Sequence, residues 1–69
     1  MTLNNVIRTD FMDMLDADDR FSTKNVALKT GIPLVTLVAW LNKRIDLSKN
    51  NLFLIEDCMQ EWKRFNSRH

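Results

Sequence analysis

The chain's one glycine and one proline stand two residues apart, in Gly31-Ile32-Pro33. Glycine supplies the left-handed backbone in which a helix can end sharply. Proline suits the first turn of a following helix, where its missing N–H costs nothing. With no other residue of either type, the 69 residues carry one tight corner rather than several loops. No segment alternates cleanly at period two, so strands are not expected. The chain reads as one small all-α domain.

Helices follow from apolar spacing and caps. Leu3, Ile7, Phe11, Met14 and Leu15 recur at three- and four-residue steps, which predicts a first helix over Leu3 to Leu15 with those side chains on one stripe. Asp16-Ala17-Asp18-Asp19 then ends it, because like charges repel along a continued helix and Asp favours turns. This acidic run lacks the alternation, central glycine and closing glutamate of a calcium loop, so it reads as a solvated turn. Ser22 caps a second helix over Thr23 to Thr30. A third begins around Pro33 and reaches about Asn42. Lys43 to Leu47 connect, Ser48 caps again, and a fourth, longer helix runs from Lys49 to Phe65.

The segment from Ser22 to Asn42 has an internal logic. Ala27 lies four residues before Gly31, where two steeply crossing helices leave room only for a small side chain. Val26, Ile32, Leu37 and Trp40 fall at steps that return each to the core. Together they describe two helices joined by a short glycine turn, a helix-turn-helix.

At these residues the sequence resembles the phage-repressor and Cro-like helix-turn-helix proteins, bacterial and phage transcriptional regulators. The match spans about Ser22 to Ile55 and is carried by Ala27, Gly31-Ile32, Trp40-Leu41-Asn42, and Asp46-Leu47-Ser48 leading to Leu52. Two departures stand out. Lys43 occupies a position where glycine is common, and nothing after Ile55 breaks the fourth helix to allow a short fifth one. The resemblance implies binding of double-stranded DNA, with the third helix in the major groove. It puts Thr23 and Lys24, Lys43 and Arg44, and Lys49-Asn50-Asn51 on phosphates, the last group adding free helix N–H donors. The plain alternative is that these residues only solubilise the surface.

Charge distribution fits an anion-facing middle. Residues 1–22 set Arg8 and Arg20 against Asp10, Asp13, Asp16, Asp18 and Asp19, a net of −3. Residues 23–51 set Lys24, Lys29, Lys43, Arg44 and Lys49 against Asp46 alone, a net of +4. Residues 52–69 balance, Lys63, Arg64 and Arg68 against Glu56, Asp57 and Glu61.

The third helix is unusual for a base reader. At about 100° per residue, Leu37, Trp40 and Leu41 face inward with Leu34 at the margin. Val35, Val38, Ala39 and Asn42 face outward, flanked by Thr36 and Lys43. Valine and alanine offer bases only methyl contacts, while Asn42 could address adenine. Three readings stay open. The face meets DNA with modest selectivity, aided by DNA shape; Val35 and Val38 grip another protein, as in an antirepressor or inhibitor; or both valines pack against the first helix.

The fourth helix carries two apolar stripes, Leu52, Ile55, Met59 and Trp62, with Leu54, Cys58 and Phe65 beside them. That exceeds what one small core needs, so Met59, Trp62 and Phe65 are expected at a homodimer contact. Folding back over the first helix would use the same residues. A domain this short buries only about 60% of its unfolded surface, which makes a partner chain useful.

Other functions are not expected. One cysteine, Cys58, and one histidine, the terminal His69, cannot make a disulfide or a four-ligand zinc site. Cys58 reads as a small buried hydrophobe. No leader or membrane-length apolar run is visible, and the lone thiol fits a cytoplasmic setting. There is no nucleophile–base pair and no phosphate-cradling glycine loop, so neither an enzyme nor a cofactor or small-molecule site is expected.

Overall fold

The computed structural model describes residues 2–66. Residues 1 and 67–69, among them Arg68 and His69 of the sequence reading, lie outside the described residues. The order is α1 (Leu3–Ala17), α2 (Thr23–Thr30), α3 (Leu34–Leu41) and α4 (Lys49–Asn66), with no strand among the described residues. The helix-turn-helix is α2, a turn over residues 31–33, and α3. No helix of the described residues is long and apolar enough to cross a membrane.

Caps explain most boundaries. Ser22 Oγ accepts from the Asn25 N–H at 3.2 Å, and Ser48 Oγ accepts from the Asn51 N–H at 3.4 Å. Thr2 does the same for α1, through the Asn5 N–H at 3.2 Å. Each satisfies one of the orphan donors at a helix start. Gly31 ends α2 in the left-handed region, φ +78°, and its N–H donates to Ala27 O at 3.0 Å. Two boundaries differ from expectation. α1 continues two residues past Leu15, to Ala17, because Asp16 stays on its exposed side. Pro33 stands just outside α3 as its N-cap, with extended backbone, and not inside the first turn.

The core is drawn from every element: Ile7 and Phe11, Phe21, Val26, Ile32, Leu37 and Trp40, Leu47, and Leu52, Ile55 and Met59. Leu3, expected on the buried stripe of α1, is instead exposed. Phe21, outside any helix, is inside. Its ring meets Phe11 at 5.2 Å and Trp62 at 5.6 Å, and Phe11 meets Trp40 at 5.8 Å. Four rings thus run from α3 through α1 to α4, each large buried side chain contributing roughly 1.5–3 kcal/mol.

Candidate nucleic-acid interface

The orientation of α3 is set by Leu37 and Trp40, which are fully buried. Its opposite face is therefore solvent-facing. Val35 is 76% exposed and Val38 44%; Leu34 is also exposed, Thr36 and Ala39 are half-buried, and Asn42 is exposed at the helix end. This excludes the reading in which the two valines pack against α1. The face is apolar, with Asn42 and the edge of Thr36 its only polar side chains.

A polar clamp on α1 holds the far end of α3. Arg8 is 4% exposed. Its Nε donates to Trp40 O at 2.6 Å, Nη1 to Asn5 Oδ1 at 2.6 Å, and Nη2 to Ile45 O at 3.2 Å and Asp46 Oδ1 at 3.1 Å. The guanidinium also lies 5.3 Å from the Trp40 ring centroid, a cation–π distance. One turn earlier, Asn4 Oδ1 accepts from Trp40 Nε1 at 3.0 Å and from the Leu47 N–H at 2.9 Å, while its Nδ2 donates to Leu47 O at 3.3 Å. No buried side-chain nitrogen or oxygen among the described residues lacks a partner. α3 has no basic residue in its own last turn; Arg8 supplies the cation that complements its C-terminal carbonyls.

Lys43 closes α3 in the left-handed region at φ 63°. Its N–H donates to Trp40 O at 3.1 Å, and the Arg44 N–H donates to Ala39 O at 3.0 Å. That pair of bonds is the Schellman ending that normally selects glycine. Lysine there costs about 1–2 kcal/mol of backbone strain, and it leaves two cations directly at the end of α3.

The charges sort into paired and unpaired. Asp46, the only acid of residues 23–51, is bound to Arg8, and Lys29 pairs with Glu61 at 3.8 Å. Lys24, Lys43, Arg44 and Lys49 are exposed and form no ion pair among the described residues. Thr23 is half-buried and Asn50 exposed; Asn51, half-buried, spends its N–H on Ser48. The N–H groups of Lys49 and Asn50 point out of the first turn of α4 with no acceptor among the described residues. This is the donor arrangement that suits a phosphate.

The residues expected at a dimer contact on α4 separate. Met59 is buried in the chain's own core at 2% exposure, so it cannot meet a partner. Trp62 is half-buried, stacked near Phe21, and its indole N–H donates to Asp18 Oδ2 at 3.2 Å. Phe65 remains 79% exposed. The Arg20 backbone N–H, donating to Asp18 Oδ1 at 2.9 Å, holds the Asp18 carboxyl below its ordinary value, with the Trp62 bond acting in the same direction. Partial burial pushes the Cys58 thiol up, which keeps it protonated.

Sequence reasoning gave no role to Asn4 or Phe21, counted Arg8 only as a charge, and read Asp18 only as part of a solvated turn, whereas it is half-buried and bonded to Trp62. Arg8 had a signal: it precedes Phe11 by three residues and Leu15 by seven, so it shares the apolar stripe of α1. No family model, curated protein or solved structure matches the chain.

Proposed function

We propose that the chain is a small DNA-binding regulator of the phage or bacterial kind, docking α3 in the major groove of operator-like duplex. The observation that carries this is an exposed α3 held from α1 by Arg8 and followed directly by Lys43 and Arg44, which like Lys24 at the start of α2 and Lys49 at the start of α4 form no ion pair among the described residues. Those cations neutralise phosphates. Val35, Val38 and Ala39, with Thr36, contact thymine methyl groups, and Asn42 bonds adenine. Selectivity then leans on A·T-rich sequence and on groove shape.

A salt titration on random duplex tests it. Four phosphate contacts give a log K against log salt slope of about −3.6. Lys49→Ala reduces that slope by about 1 and weakens every sequence alike. Binding that ignores salt, or is absent at low salt, rejects the reading.

A second reading is favoured by one observation, the 76% exposure of Val35 on a face poor in base-reading donors. There the same fold acts as an antirepressor or inhibitor, with Val35 and Val38 against another protein. Val35→Asp abolishes that contact by burying a charge, whereas Lys49→Ala, which weakens DNA binding, leaves it unchanged.

A further inference from the structure

A groove of about 500 Å³ lies between α2 and α4, on residues that take no part in the α3 face. Phe21, Val26 and Trp62 form its wall, and Cys58 lines it as a protonated, apolar thiol. At its rim stand two apolar side chains with almost nothing on them, Leu28 at 75% and Phe65 at 79% exposure. Lys29 and Glu61, 3.8 Å apart and both largely exposed, also line it. The rim therefore carries one cation and one anion from opposite helices beside exposed apolar side chains.

We infer that this groove receives a second copy of the chain in a two-fold contact, each copy setting Phe65 and Leu28 against the other's groove. The argument is self-complementarity. An isologous contact needs a patch that matches itself. A two-fold axis through the groove brings Lys29 of one copy opposite Glu61 of the other, twice, and apolar rim against apolar wall. A patch bearing only one sign of charge would repel itself. A contact built on one groove and two exposed rim side chains per copy is small, so the dimer is weak and dissociates on dilution. The inference is independent of the nucleic-acid reading.

Sedimentation of the full chain over a concentration series, followed by mixing variants, tests this. Wild type passes from monomer to dimer as concentration rises. Phe65→Ser raises the dissociation constant at least tenfold, as truncating an anchor does. Lys29→Glu and Glu61→Lys each lose self-association, because like charges then face each other across the axis. Mixed one to one, they recover a dimer with one copy of each, since both crossed pairs are then attractive. The bond within each chain stays repulsive in that mixture, so recovery reports only the contact between copies. Circular dichroism confirms that these exposed substitutions leave the helices formed. A chain that is monomeric at every concentration overturns the inference. So does a dimer indifferent to Phe65→Ser, a mixture that fails to recover, or a groove occupied only when a different protein is added.

Discussion

The two ends of the domain are finished by different physics. At one end, Asn4 and Arg8 reach from α1 into Trp40, Ile45, Asp46 and Leu47, and every polar atom of the clamp is bonded. At the other, between α2 and α4, an exposed ion pair and two bare apolar side chains border an open groove. The first end fixes geometry: it sets where α3 and the basic loop stand. The second is unfinished within a single chain. Directional bonds among buried groups are costly to remove one at a time, whereas exposed apolar surface costs little to trim.

Truncation at each end gives the largest contrast. Arg8→Ala removes four hydrogen bonds, leaves the Ile45 carbonyl without its side-chain donor and the Trp40 carbonyl with only the Lys43 N–H, and destabilises the fold by about 3 kcal/mol, enough to unfold a large part of a marginal domain. Phe65→Ala, measured below the concentration of association, costs under about 0.5 kcal/mol. Urea unfolding followed by circular dichroism reads both. Comparable losses at the two sites would erase the distinction between a clamped end and an open one.

The open end was closer to legible in sequence than the clamped one. Helices announce themselves locally, through caps at Ser22 and Ser48, a left-handed glycine at Gly31 and apolar steps along each face, so four helices and the corner between α2 and α3 could be read off. The clamp could not. Arg8 meets Trp40, Ile45 and Asp46 across 32 to 38 residues of chain, and Asn4 meets Leu47 across 43; neither pairing leaves a periodic trace. Phe21 is hidden for a related reason, since it belongs to a connection, where spacing rules say nothing about burial. Met59 shows the limit of counting stripes. A helix with two apolar faces is compatible with a partner, but which residues the chain's own α1 and α2 cover is a tertiary fact.

Lys43 sharpens the contrast from inside the clamped end. The two backbone bonds to Trp40 O and Ala39 O hold a lysine in the conformation that Gly31 adopts freely at the other corner of α3. Lys43→Gly relieves strain of about 1–2 kcal/mol and returns about 0.4–1 kcal/mol of unfolded-state entropy. The net is a gain in stability of about 0.8 kcal/mol, read as a higher urea midpoint. The same variant loses DNA affinity and about one unit of salt slope. Stability and binding moving in opposite directions would mark Lys43 as a residue kept for its charge. A variant that is stabilised and binds DNA as before would remove it from the phosphate set.

Acid probes the open end with the smallest effect. Asp18 joins the end of α1 to α4 through the Trp62 indole, and its carboxyl is held below its ordinary value chiefly by the Arg20 backbone N–H. A carboxyl lowered in the folded state stabilises the fold fully above its unfolded value, about 3.9. That contribution fades as pH falls through the lower folded value. Asp18→Asn keeps an acceptor oxygen but has no proton to gain in this range. Wild type is therefore the more stable of the two near neutrality, and the difference narrows as pH drops below about 4. Thermal unfolding followed by tryptophan fluorescence, repeated across that range, measures the gap. Parallel curves would mean that the charge on Asp18 contributes nothing at this end, leaving Phe21 and Trp62 to hold α4 against α1 by ring contact alone.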